Sequence, residues 1–185
     1  MTTIDLGLAA EPLSLAEAKA WARIERDDED ALIAELIRAA REAIERETGL
    51  ALSSRSFQLV LDPAPRDGWV EATRHPLVSI DGVTAYDAAG NPVVFAADQA
   101  IAERPRGGEG FRLSAAVIEQ AANGIEIELS AGFGDADRPA DLMLALKVIV
   151  AASYEARALV EPGMQPALRP ALAERLIAPY RRVRL

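Results

Sequence analysis

Residues Asp27 to Gly49 read DDEDALIAELIRAAREAIERETG. Within them Leu32, Ile33, Leu36, Ile37, Ala40 and Ile44 recur at spacings of three and four, the period of one buried face of an α-helix. Arg38–Glu42 and Glu42–Arg46 stand four residues apart on another face and support the same helix as charge pairs. Asp27, Asp28, Glu29 and Asp30 suit the positive end of the helix dipole, so they read as a helix start rather than as ligands. Gly49 closes the helix, because helices commonly end on a residue with positive φ, which glycine adopts without steric cost.

Working outward, Ser14-Leu-Ala-Glu17 fits a capping box and predicts a shorter helix running to about Arg26, with Trp21 as its large apolar anchor. Downstream the period changes to two. Phe57, Leu59 and Leu61 alternate with Gln58 and Val60, and Ile125, Ile127 and Leu129 alternate with Glu126 and Glu128, which predicts strands with one wet face. Between them lie further strand signals at Val78 to Tyr86, at Val93 to Phe95 and at Phe111 to Leu113, a turn at Asp87 to Pro92, and a short helix at Ala115 to Ala122. Helical patterning returns at Pro139, a residue favoured at the first helical position. From there to about Leu159 the helix is apolar nearly all round, so it is buried on more than one side. A second subunit would supply that other side, with Leu142, Leu146, Ile149 and Val150 as the contact residues. A last helix is expected from Pro166 or Pro170 to Ile177.

Composition excludes several function classes. Among 185 residues there is no cysteine and one histidine, His75, so disulfides, thiolate chemistry and Cys- or multi-His metal sites are absent. His75 precedes Pro76 and reads as a residue of an extended connection. There is no P-loop, no G-x-G-x-x-G opening a helix, and Asp135-Ala-Asp137 lacks the further ligands of a calcium loop. No catalytic, cofactor-binding or metal-binding residue is therefore expected, and no cofactor. The N-terminus lacks the basic start of a signal peptide, and Leu142 to Ala152 is too short to cross a bilayer, so no membrane partner is expected.

The formal charge of −9 argues against general nucleic-acid binding, which needs a basic face to displace counterions from phosphates. The charge is unevenly placed. Arg169 to Leu185 holds five arginines and one acid, Glu174, for +4, leaving −13 on the rest. A basic segment tipped by Tyr180 reads equally well as a solvated terminus or as a docking peptide.

Taken in order, four segments resemble the head–tail connector, or adaptor, proteins of tailed bacteriophages and gene transfer agents. The first begins Pro12-Leu-Ser-Leu-Ala-Glu-Ala-Lys19 and continues through Arg23-Ile24, Asp27 to Asp30, Ala39-Ala-Arg41 and Thr48-Gly49. The second is Arg74-His-Pro-Leu-Val-Ser-Ile80 with the turn at Asp87 to Gly90. The third runs from Ile125 to Leu129 through Ala131-Gly-Phe-Gly134 and the helix ending near Arg157. The last is Leu176-Ile-Ala-Pro-Tyr-Arg181. Two departures stand at Ser130, where the family often carries a longer apolar strand, and at Thr73-Arg74.

The resemblance implies a non-enzymatic virion protein made in the bacterial cytoplasm and placed in the neck of a phage or virus-like particle. It implies a homo-oligomeric ring, usually a dodecamer, under the portal protein. The ring would contact a stopper or tail protein on its other side, with DNA passing through the channel without specific binding. The alternatives are another neck protein, a stopper or tail terminator, and more remotely a small hydrolase using carboxylates. The fold expected is α+β, a helical bundle formed by N-terminal and C-terminal helices with a β-rich insertion in the middle. Its divisions would be residues 1–52, 53–130 and 131–178, followed by a basic tail at 179–185. By the same resemblance Leu176, Ile177, Tyr180, Arg181, Arg182, Arg184 and Leu185 would dock on the portal.

Overall fold

A computed structural model describes residues 1–104, 108–159 and 170–181 of the protein. The chain forms two compact units, each built from separate stretches. One takes Met1–Ala9 and Ser54–Phe133, the other Ala10–Ser53 and Gly134–Leu185. The chain thus passes from one unit to the other three times.

The first unit is built on strands β1 (Thr2–Asp5), β2 (Arg55–Leu61), β3 (Trp69–Glu71), β4 (Leu77–Tyr86), β5 (Pro92–Phe95), β6 (Ala100–Glu103), β7 (Gly110–Leu113) and β8 (Ile125–Ala131). They make two antiparallel sheets, of order β1-β2-β8-β4-β5 and β3-β7-β6. The period-two patterns of β2 and β8 fall in register, Phe57 opposite Leu129, Leu59 opposite Ile127 and Leu61 opposite Ile125. These six apolar side chains share one face of the pair, and all are buried. The opposite face is polar. There Glu126 Oε2 accepts hydrogen bonds from Gln58 Nε2 at 3.1 Å and from the Tyr86 hydroxyl at 3.0 Å. Phe111 and Leu113 of β7 and Val117 of a short helix join the buried apolar set; that helix, Ala115–Gln120, is capped by Ser114. Close backbone approach is required at Gly110, where a Cβ would lie 2.2 Å from the Val70 carbonyl oxygen.

The second unit holds the remaining helices: Leu15–Ala22, Asp30–Thr48, Ala140–Leu159 and Ala171–Ile177. In chain order over the whole protein the helices are α1 (Leu15–Ala22), α2 (Asp30–Thr48), α3 (Ala115–Gln120, the short helix of the β-rich unit), α4 (Ala140–Leu159) and α5 (Ala171–Ile177). The capping box forms as its sequence predicts: Ser14 Oγ accepts from the Glu17 amide at 3.2 Å, and Glu17 Oε2 accepts from the Ser14 amide at 3.1 Å. Helix α1 ends at Ala22 rather than Arg26, because Arg23 turns left-handed at φ 56° and its amide bonds back to Ala20. Gly49 ends α2 at φ 74°. The acids before α2 are gathered by Lys19, whose ammonium bonds Asp27 and, at 2.6 Å, Asp30.

Ile33, Ile37 and Ile44 of α2, Leu142, Leu146 and Val150 of α4, and Ile177 of α5 share one core with Leu13 and Leu52. Each such side chain contributes about 1.5–3 kcal/mol on burial, far more than helix propensity supplies. Two ionic residues of α2 lie on this buried side. Arg41 is 6 % exposed and Glu45 3 %. Arg41 donates to Glu11 at 2.7 Å and to Glu45 at 2.9 Å, while Glu45 also accepts the Leu52 amide at 2.7 Å. Burial works against the charge on Arg41, but the bonds to Glu11 and the pull of Glu45 outweigh it and hold the guanidinium above its ordinary value.

The expected architecture is corrected here. The chain is a mixed α+β protein with five helices and two antiparallel sheets of eight strands among the described residues, not a bundle of terminal helices interrupted by a central β insertion. The chain opens with a strand, β1, which pairs along β2 from Thr2 opposite Val60 to Asp5 opposite Phe57, and the β-rich unit carries a helix of its own. Residue type permits this strand and a distant partner fixes it. Thr2, Thr3 and Ile4 are β-branched and suit an extended edge, and Arg55 secures them by pairing with Asp5 at 2.9 Å while its guanidinium lies over the Phe57 ring.

Arg138 gathers the helical unit where the chain enters and leaves it. Its guanidinium donates to the carbonyls of Leu52 at 2.9 Å and Pro12 at 3.3 Å and to Ser53 Oγ at 3.2 Å, and it pairs with Asp135. Arg138→Ala is expected to lower stability by about 2–3 kcal/mol, since bonds from a charged donor are each worth more than neutral ones. Chemical denaturation followed by circular dichroism at 222 nm would show it, and an unchanged midpoint would refute the assignment.

Candidate assembly surface

Among the described residues no three His, Asp or Glu side chains gather as metal ligands would, and no helix is long and apolar enough to cross a membrane. The features that bear on function are surfaces and the segments that present them.

Helix α4 was read as apolar all round. In the structure its sides are unequal. Leu142, Leu146 and Val150 are fully buried in the subunit's own core against α2 and α5. Ile149 is only partly buried, as are Met143, Leu144, Lys147 and Val148. Three of the four expected contact residues are thus spent inside the subunit, and the surface α4 leaves open is the one turned by about one residue, carrying Met143, Leu144 and Lys147.

The C-terminal segment is similarly divided. Pro170 caps α5, and Ile177 is fully buried while Leu176 packs at the edge of the same core. A 3₁₀ turn over Ala178–Tyr180 follows. It brings the Tyr180 hydroxyl onto the Asp141 carboxylate, donating at 2.8 Å to Oδ1 with Oδ2 at 3.0 Å. Burial and this bond push the Tyr180 phenol above its ordinary value. Arg181 pairs with Glu174 and Glu47, and both bonds raise its value further. Of the expected docking residues, Leu176, Ile177, Tyr180 and Arg181 therefore sit against α2, α4 and α5 of their own subunit. Arg182, Arg184 and Leu185 lie outside the described residues.

His75 lies in the connection between β3 and β4 and is buried there. It is 4 % exposed in the β-rich unit, and its Nδ1 lies 2.9 Å from Glu109 Oε2. The same carboxylate accepts the Leu77 amide at 2.9 Å and pairs with Arg104 at 2.9 Å. Burial alone would raise the Glu109 carboxyl; the His75 bond, the Leu77 amide and Arg104 together bring it below the ordinary value of 4.5. Sequence reading missed this cluster because Glu109 follows a run of glycines and stands 34 residues from His75. Apart from a local signal at His75-Pro76, nothing in the pattern joins the two.

Residues 12–75 match a family described as Phage gp6-like head-tail connector protein. No curated protein matches the chain. Among solved structures, the chain is similar to one from the virion of a native gene transfer agent (GTA) particle, with 26 % identity and a TM-score of 0.81, covering 100 % of this chain and 97 % of that one. It is similar also, at 26 % identity and the same coverage, to chains from the neck of an empty GTA particle computed with C6 symmetry and the neck of a native GTA particle computed with C12 symmetry, each with a TM-score of 0.79.

A carboxyl whose folded value is depressed stabilises the fold above its unfolded value, and that stabilisation is lost as pH falls through the folded one. The β-rich unit should therefore weaken below about pH 4.5, where Glu109 begins to take up a proton. Glu109→Gln should cost about 1–2 kcal/mol at neutral pH and flatten that acid limb; melting curves from pH 3 to 7 with an unaltered limb would refute it. The resemblance read from the sequence thus stands in both comparisons: residues 12–75 are similar to the phage head–tail connector proteins, and the whole chain shares its fold with chains of gene transfer agent necks.

Proposed function

We propose that this chain is a structural, non-enzymatic subunit of the neck of a tailed phage or gene transfer agent particle, where it connects head to tail. The observation that carries this reading is likeness over the entire chain to GTA neck chains, joined by the connector segment at residues 12–75. The sixfold and twelvefold symmetry of those necks supports a ring of copies, and twelve is the number we adopt.

In this reading the ring sits under the portal protein, meets a stopper or tail protein below, and surrounds the path of the DNA. A closed ring uses two different patches of each subunit, so that each copy meets the next head to tail. The open side of α4, with Ile149 beside Met143, Leu144 and Lys147, supplies apolar area for one of them. Tyr180 and Arg181 fix where the tail leaves the subunit, and Arg182, Arg184 and Leu185 make the portal contact. Arginine suits this because its planar fork pairs with carboxylates in two bonds. The net charge of −9 keeps phosphates from adhering to the wall while the duplex slides.

Solution mass with and without portal tests assembly and partner dependence together. With portal present, the retained species should hold twelve copies of the 19.8 kDa chain. A chain that neither oligomerises nor co-purifies with portal would overturn the reading. Affinity for free duplex DNA should be weak at physiological salt; tight, salt-sensitive binding by fluorescence polarisation would contradict a repulsive channel.

A further inference from the structure

The five-stranded sheet ends on β1 at one side and β5 at the other, and among the described residues no strand covers either outer edge. Natural sheets usually blunt such edges with an outward charge, a bulge or a covering element. Here β5 has no charged residue, and Asp5, the charge of β1, pairs with Arg55. Apolar side chains stand bare instead, Val94 at 78 % exposed and Ile4 at 43 %. We propose that β5 of one copy pairs with β1 of a second copy, so that one sheet continues from subunit to subunit. This rests on the ring reading above and adds a main-chain contact to the one made by α4.

The hydrogen-bonding phase of the two edges supports that occupant. Along an antiparallel ladder, bonded and non-bonded residue pairs alternate. The Leu6 amide donates to the Ser56 carbonyl at 3.1 Å, so Thr3 forms a non-bonded pair with Leu59 and turns its own N–H and C=O away from β2. The Asp87 amide donates to the Asn91 carbonyl at 3.1 Å, so Tyr86–Pro92 and Thr84–Val94 are non-bonded pairs. Val94 therefore offers an outward N–H and Pro92 an outward C=O. The antiparallel steps from β1 through β2, β8 and β4 to β5 leave the two edge strands parallel to each other. A rotation about an axis along the strands preserves that sense, so β5 and the next copy's β1 meet as a parallel pair. Thr3 of the next copy, set opposite Val93, accepts from the Val94 N–H and donates to the Pro92 C=O. Proline costs this pairing nothing, since Thr3 uses only its carbonyl.

The side chains agree with the main chain. Thr2 pairs with Val60, Val60 with Glu126, Glu126 with Thr84 and Thr84 with Val94, so all five share one face of the sheet. Ile4, two residues from Thr2, shares it too. With Thr3 opposite Val93, Ile4 stands opposite Val94, and two bare β-branched side chains cover each other as a cross-strand pair. The pairing is head to tail, as a closed ring requires. Five strands spaced by about 4.8 Å advance the sheet roughly 24 Å per copy, so a ring of twelve closes at a radius of roughly 46 Å and leaves its centre open.

The absence of cysteine makes the test direct. Full-length Ile4→Cys and Val94→Cys chains are mixed, assembled with portal and oxidised mildly. The mixture is expected to give a covalent dimer of one chain of each kind, and neither variant alone a covalent dimer. Dimers of a single variant would mean that like edges meet, and a ring of full mass without the mixed dimer would leave the edges unpaired; either overturns the inference. A chain that stays monomeric with portal would instead sink the ring reading, and this inference with it. A second pair of variants probes the main chain. Val94→Pro removes the outward N–H but no bond of the β4–β5 ladder, so it should weaken assembly about tenfold with an unchanged circular dichroism spectrum. Val94→Thr keeps the N–H and should assemble as the unaltered chain does. Unimpaired assembly by Val94→Pro would overturn the pairing.

Discussion

One guanidinium organises the helical unit. The chain crosses between its two units three times, and Arg138 holds the helical side of all three crossings through Pro12, Leu52 with Ser53, and Asp135. Main-chain carbonyls in such connections have no ladder or helix to satisfy them, and leaving them unpaired when buried is expensive. A single rigid donor fork answers several at once. With those strands of chain gathered, α2 and α4 can present Ile33, Ile37 and Ile44 to Leu142, Leu146 and Val150 in one core.

Much of this was legible in the sequence, for physical reasons that can be named. The helix at Asp30–Thr48 combines a long apolar period with a glycine stop, and both signals are local. The strands β2 and β8 alternate strictly because one face of their pair is buried and the other wet. What escaped reading is what depends on distant partners. Strand β1 is four residues long, mostly exposed, and extended only because β2 lies beside it. The buried Arg41–Glu45 pair looks in sequence like any surface i,i+4 pair, and only its partners Glu11 and Leu52 mark it as interior. The inward side of α4 could not be told from its outward side, since both are apolar; packing against α2 and α5 chose Leu142, Leu146 and Val150.

The candidate surface was legible in outline and less so in detail. The charge step at Arg169 pointed to the C-terminal segment, and the resemblance implied a portal as its partner. Yet a basic composition does not show which arginines are already satisfied. Arg181 is, by Glu47 and Glu174, and Tyr180 is, by Asp141. These contacts turn the segment from a loose appendage into an arm with a fixed root.

The threefold crossing of the chain also bears on how the protein is made. Strand β1 lies far from β8 along the chain, yet it is secured by β2, which in turn pairs with β8 at Ile125–Ala131. Helices α1 and α2 follow, and their core waits for Leu142, Leu146 and Val150. Neither unit is contiguous, so neither can close while most of the chain is still unsynthesised, and non-local pairing of this kind is slow. A product interrupted before α4 leaves Ile33 and Ile37 without Leu142, Leu146 and Val150. Discontinuity thus ties the completion of both units to late stretches of chain: a copy that stops short of β8 closes neither core.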